Sequence, residues 1–140
     1  MPVLRTYRLF ISHAWHRSEH YSRVVFWLRS TPNFRWENLS VPEHDPIYGS
    51  DLEYELRNQM RPADAFVILA GMYANHSYWI DFELSFARRI GRPIIGVRPW
   101  GAERLPIAIQ NAARKIVGWN GNSIVSAVRH LALPSGGLRL

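Results

Sequence analysis

A doubly wound α/β domain on a parallel sheet is what this 140-residue sequence predicts, and three observations carry the prediction. The run Asp64-Ala65-Phe66-Val67-Ile68-Leu69-Ala70-Gly71 and the run Pro93-Ile94-Ile95-Gly96-Val97 are apolar almost without a break. Strands covered on both faces read this way, and such strands belong to parallel sheets. Segments of helical period stand between the strand-like runs, which is the pattern of crossover connections. The length suits one domain with a full core, and no repeat, linker or low-complexity stretch divides it.

Taken in order, Tyr7 to Ser12 reads as a strand with an apolar end, followed by a polar turn from His13 to Arg17. From Ser18 the period changes. Tyr21, Val24, Val25 and Leu28 follow the i, i+3, i+4, i+7 rule, so a helix runs to about Ser30 and stops before Pro32. Trp36 to Val41 reads as a second strand, and Pro42 to Gly49 as an irregular loop containing two prolines. Ser50 and Glu53 have capping-box spacing, and Leu52, Leu56 and Met60 give the next helix its apolar stripe. Asp64 to Gly71 is the third strand and Pro93 to Val97 the fourth. Pro99, Gly101 and Pro106 leave room only for a short helix or turn between Arg98 and Ala113. Arg114 to Trp119 reads as the last strand. Asn122 is placed to cap a final helix carrying Ile124, Val128 and Leu131, and residues 134–140 read as a flexible tail after a domain of residues 1–133. The order expected for these five strands is the flavodoxin-like 2-1-3-4-5, which gathers ligands outside the carboxyl ends of the strands.

The segment between the third and fourth strands, His76 to Gly91, holds the most telling residue. Spaced at about 100° per residue, Trp79, Ile80, Phe82, Leu84, Phe86, Ala87 and Ile90 form one apolar arc, with Asp81, Ser85, Arg88 and Arg89 opposite. Glu83 falls in the middle of that arc. A carboxylate there is desolvated, and it must either pair with a cation or face a ligand crevice. Gly91 is placed to close the helix.

Composition narrows the function classes. The formal charge is +6, with 17 basic against 11 acidic residues, but the basic residues stand singly or in pairs such as Arg88-Arg89 and Arg114-Lys115. A dedicated nucleic-acid groove is therefore not indicated, while a small anionic substrate would be attracted. There is no cysteine, which excludes disulfides and thiolate metal sites. The longest apolar run, Ala65 to Ala74, is too short to span a bilayer, and the first residues lack a secretory h-region. A soluble cytoplasmic protein without a membrane partner is the expectation.

Several chemistries find no motif. No glycine-rich phosphate loop follows the first strand, and there is no G-x-S-x-G elbow. His13, His16 and His20 are spaced so that two could share a metal, but no fitting carboxylate joins them, so no metal is expected. A phospho-acceptor pattern is absent too, since the third strand ends in Ala70-Gly71. Trp15, Tyr48, Tyr73, Tyr78, Trp79 and Trp100 all fall near the predicted rim, where aromatic rings either pack loops or face a planar ligand.

Arg8-Leu9-Phe10-Ile11-Ser12-His13, the loop Val41-Pro42-Glu43-His44-Asp45-Pro46, Gly71-Met72-Tyr73, Ser77 to Glu83, and Arg92 to Val97 together resemble the TIR-like family of the bacterial Thoeris anti-phage system. The similarity spans roughly Arg8 to Trp100, in order and at fitting separations. A tryptophan four residues before a glutamate, entering the helix after the third strand, resembles the catalytic segment of TIR enzymes that cleave NAD+; here these are Trp79 and Glu83. The resemblance implies an NAD+ glycohydrolase or ADP-ribosyl cyclase with NAD+ as substrate and no separate cofactor. It implies Glu83 as catalytic residue, Ser12 and His13 beneath the ribose or phosphates, Asp45 in a covering loop, and Tyr73 and Trp79 as walls. It further implies a cyclic ADP-ribose signal for a partner effector, a phage-derived trigger and self-association.

Two other readings fit the residues: a non-catalytic TIR-like interaction module, and a nucleoside deoxyribosyltransferase-like enzyme with a similar sheet and a lone glutamate. Glu83→Ala separates the first of these from the enzyme, and base exchange on a deoxynucleoside identifies the second.

Overall fold

A computed structural model describes residues 5–12, 19–40, 50–99 and 104–132. Its elements are β1 (Thr6–Ile11), α1 (Glu19–Ser30), β2 (Arg35–Asn38), α2 (Ser50–Met60), β3 (Ala65–Leu69), α3 (Tyr73–Arg89), β4 (Ile94–Val97), α4 (Ile107–Ala112), β5 (Lys115–Val117) and α5 (Gly121–Leu131). A 3₁₀ turn, Ala70–Met72, joins β3 to α3. The five strands pair in parallel in the order β2-β1-β3-β4-β5, which is the flavodoxin-like arrangement expected from the sequence.

Alternation along the central strands divides the core in two. Leu9, Ile11, Ala65, Val67, Leu69, Ile95 and Val97 face α1 and α5, where Val24, Leu28, Ile124 and Val128 meet them. Phe10, Phe66, Ile68 and Ile94 face the other way, toward Leu56 and Met60 of α2, Ile80 and Leu84 of α3, and Ile109 of α4. Successive side chains of a strand point to opposite faces, so every residue of β3 is buried and its side chains divide between the two cores. Gly96 is small for a reason. A Cβ there would come within 2.8 Å of Ile116 Cδ1 and 3.0 Å of Ile109 Cγ2, so α4 and β5 could not approach β4 as closely.

Several element ends differ from the sequence reading, each for a local reason. β2 ends at Asn38 rather than continuing to Val41, because the Asn38 side chain accepts from the Ser40 N–H at 3.0 Å and donates to Tyr21 Oη at 2.8 Å. The Tyr21 hydroxyl in turn donates to the Ser40 carbonyl at 3.0 Å, which ties the end of β2 to α1. α3 begins at Tyr73 instead of His76, with a backbone kink at His76 (φ −140°, ψ 34°), so regular helix starts at Ser77. The last helix is capped by Asn120, not Asn122: Asn120 is extended and its Oδ1 accepts from the Ser123 N–H at 2.8 Å. The tail expected at residues 134–140 lies outside the described residues.

The amino end of the sheet is fastened firmly. Asp64, fully buried, accepts from the Arg8 backbone N–H at 2.9 Å and lies 3.2 Å from the Arg8 guanidinium and 3.4 Å from that of Arg5. Its own N–H returns a bond to the Arg8 carbonyl at 2.7 Å, so β1 and the start of β3 are clasped in both directions. α3 closes at the same end. Gly91 adopts φ +71°, its N–H meets the Arg88 carbonyl at 3.2 Å, and the Arg92 N–H meets the Ala87 carbonyl at 2.9 Å, which is the Schellman pattern. Among the described residues no helix is long and apolar enough to cross a membrane.

Asp64→Ala removes the acceptor from a buried N–H and two guanidinium groups that are themselves partly exposed. The expected loss is about 2–3 kcal/mol in equilibrium urea unfolding, with the fold retained.

Candidate active site

Loops and helix starts converge at the carboxyl ends of the strands. β1 delivers Ser12 there: its N–H continues the ladder to the Val67 carbonyl at 2.8 Å, and the alternation that turns Phe10 toward α3 turns Ser12 the same way. Ser12 is fully buried. Beside β3 the chain turns at Gly71, where a Cβ would stand 2.9 Å from His20 Cε1 and 3.1 Å from Pro99 Cβ. Only glycine lets the strand end, α1 and the end of β4 come together at this point.

Glu83 meets Ser12 from α3. Ile80, Leu84 and Ala87 bury the helix against the sheet, and Glu83 shares that face with only 3% of its surface exposed. Among the described residues it forms no ion pair, so the apolar arc has not been neutralised by an arginine. Burial pushes its carboxyl up from 4.5 to about 8, and the neighbouring Ser12 hydroxyl opposes the shift by favouring the charged form. That hydroxyl is near without being engaged: among the described residues neither Ser12 Oγ nor Glu83 Oε1 has a partner in hydrogen-bond geometry. Two buried polar atoms on facing elements are thus left unsatisfied on the α3 side of the sheet's carboxyl end.

The other residues named from the sequence are placed as follows. Tyr73 packs its ring against the α3-side core and donates its hydroxyl to Asp81, 2.9 Å from Oδ1, on the exposed side of the helix. That hydrogen bond raises the tyrosine's own pKa. Trp79 is half-buried, edge-on to Tyr78 at 4.9 Å and to Phe82 at 5.8 Å. Glu53, expected to take part in a capping box, accepts from the Tyr78 hydroxyl at 2.9 Å and lies 3.8 Å from Arg57. His13 and Asp45 lie outside the described residues, as do Trp15, Tyr48 and Trp100. Among the described residues no three His, Asp or Glu side chains gather as a metal site would require.

A second cluster at this end was not singled out by the sequence reading. His20, Arg23 and Trp27 stand on one face of α1, and Trp119 follows β5; with Glu19 they line a cavity. The i, i+3, i+7 spacing of the three α1 residues was the available signal. It was hidden because His20 reads first as a partner of His13 and His16.

A carboxyl whose pKa is raised on folding binds its proton more tightly in the folded state. Glu83 therefore contributes least to stability above about pH 8, and stability is lost as pH climbs from 4.5 toward that value. Glu83→Gln, which cannot ionise, should unfold at nearly the same denaturant concentration as the parent near pH 4.5. By pH 8.5 it should be more stable by a few kcal/mol, read from urea titrations across the range.

None of the curated proteins compared matches the chain. Among solved structures, the Clostridium botulinum CMP N-glycosidase BcmB resembles it with a TM-score of 0.53 at 11% identity, over 87% of this chain and 98% of that one. At that identity the likeness concerns the fold alone. The family model described as Thoeris protein ThsB, TIR-like domain, matches residues 10–104, from the second half of β1 to the segment before α4. That range takes in Ser12, the α3 helix and Glu83, and on this match the chain belongs to the Thoeris ThsB TIR-like domain family.

Proposed function

We propose that this protein cleaves the bond between nicotinamide and ribose in NAD+, with Glu83 as the catalytic residue. The observation that carries the reading is the buried Glu83 carboxyl, with no ion pair and no partner for its Oε1 among the described residues, beside the unengaged Ser12 hydroxyl at the carboxyl ends of β1 and β3. In the proposed step the C1′–N1 bond breaks and its electron pair returns to the pyridinium nitrogen, so nicotinamide leaves neutral without being protonated. Positive charge develops on the ribose. A carboxylate fixed in a low-dielectric setting stabilises that charge far more than one in water would. Water adds to C1′ and releases a proton, giving ADP-ribose. Alternatively a nucleophile of the same molecule adds, giving the cyclic product that would signal to an effector.

The raised carboxyl pKa is compatible with this role because the substrate is itself a cation at the reacting ring. Its arrival favours the ionised form of Glu83, opposing the burial that suppressed it. The pKa seen in kcat should then fall below the one seen in kcat/KM, which reports the free enzyme.

A second reading has a specific observation behind it, the likeness to a CMP N-glycosidase. An uncharged base is a poor leaving group without a proton, and a carboxyl still protonated near neutral pH could supply one. The two readings differ in sign. Cleavage of NAD+ should rise with pH through about 8 in kcat/KM, whereas cleavage of a nucleotide with an uncharged base by a protonated Glu83 should fall over the same interval.

The experiment is incubation of the full chain, alone and self-associated, with NAD+ or CMP, followed by chromatography and mass spectrometry of the products. Nicotinamide should appear with NAD+. Glu83→Gln should lower the rate at least about a hundredfold with the fold retained, and Ser12→Ala roughly tenfold. Absence of nicotinamide under every condition, or full activity in Glu83→Gln, overturns the reading, and release of cytosine from CMP selects the second.

A further inference from the structure

The sheet has Glu83 on one side of its carboxyl end and an aromatic cavity on the other. The cavity measures about 470 Å³ and is lined by Glu19, His20, Arg23, Trp27 and Trp119. That volume is within the usual range of small-molecule pockets. Trp27 and Trp119 pack against the core that faces α1 and α5, whereas α3 packs against the opposite core.

The aromatic walls are held rigidly. Trp119 lies between two rings, His20 at 5.0 Å and tilted by 55°, and Trp27 at 5.0 Å and edge-on at 66°. Trp27 cannot retreat, because it rests against the start of α5: a Cβ on Gly121 would come within 2.8 Å of Trp27 Cβ and 3.0 Å of Cγ. The Cε1–Nδ1 edge of His20 faces Gly71, and its Nδ1 is buried without a hydrogen-bond partner. The wall is therefore a fixed corner of two indoles and an imidazole, and among the described residues its charged groups come from α1. Glu19 and Arg23 are four residues apart, on one face of that helix.

We propose that this cavity is a binding site for a purine nucleotide, separate from the Glu83 site. A flat base matches the preformed indole and imidazole faces, which supply contact area at little loss of side-chain entropy. Arg23 offers a guanidinium to the phosphate, and Glu19 accepts hydrogen bonds from an exocyclic amine or a ribose hydroxyl. Other ligand classes fit less well. A quaternary ammonium would be repelled by Arg23, and an aliphatic chain would desolvate both charged groups without a partner. The site does not depend on NAD+ cleavage, so its test is independent of that reading.

Its position gives it a route to the other side. His20 lines the cavity and abuts Gly71, which sits in the turn leading into α3.

The probe is adenosine 5′-monophosphate, titrated calorimetrically into the full chain beside adenosine, ribose 5-phosphate and inorganic phosphate. Saturable binding is expected for the mononucleotide, with adenosine and ribose 5-phosphate each weaker by about tenfold or more. Trp119→Phe and Arg23→Gln should each weaken it at least about fivefold while circular dichroism remains that of the parent, and Glu83→Gln should leave it unchanged. The proposal is overturned if no saturation is seen by about 1 mM. It is equally overturned if ribose 5-phosphate binds as well as the nucleotide, which would make this a sugar site. Weakening by Glu83→Gln but not by Trp119→Phe also overturns it, since the nucleotide would then be held at Glu83.

Discussion

A carboxyl group held inside an apolar helix face is the constraint to which the rest of this molecule answers. Glu83 is packed on α3 among residues that seal the helix to the sheet, and no cation relieves it among the described residues. The side chain is almost wholly buried and the neighbouring Ser12 hydroxyl is not engaged among the described residues, so the proton stays on to about pH 8. An apolar residue at this position would suit folding better. Retaining an acid in the core is the kind of exchange of stability for chemistry that active sites display.

The parallel sheet is what makes the placement possible. Because β1, β3 and β4 all run the same way, their carboxyl ends deliver Ser12, Gly71 and Pro99 to one rim, and the following helices start there. Strand alternation then decides which side of the sheet each residue serves. Ser12 inherits its direction from Phe10 and meets α3, whereas His20, Trp27 and Trp119 belong to the side of α1 and α5. Gly71 is the point where the two sides touch.

Much of this was legible from residues alone. The unbroken apolar run in β3 and the i, i+3, i+4, i+7 pattern in α1 led directly to the strand and helix types, because burial on both faces and on one face leave different periods, and the alternation of the two types led to the expected sheet order. The misplacement of Glu83 was visible for the same reason: a helical wheel reports which face a residue occupies whatever the fold. Element ends were less legible. Asn38 stops β2 with a side-chain bond to a residue two positions on, and Asn120 rather than Asn122 caps α5, decisions made by backbone angles that periodicity does not record. The Trp119 corner was hidden for another reason. It unites α1 with the end of β5, about a hundred residues away along the chain, and nothing local to Trp119 points to His20.

The clasp of Asp64 on Arg8 and Arg5, with the Schellman closure of α3 beside it, puts the firm joints of the molecule at the end remote from Glu83. Tension and chemistry are thereby assigned to opposite poles. A sheet stapled at its foot can have the connections at its crown lengthened, shortened or exchanged without slipping register, so one such framework can be refitted for different ligands by altering its crown alone.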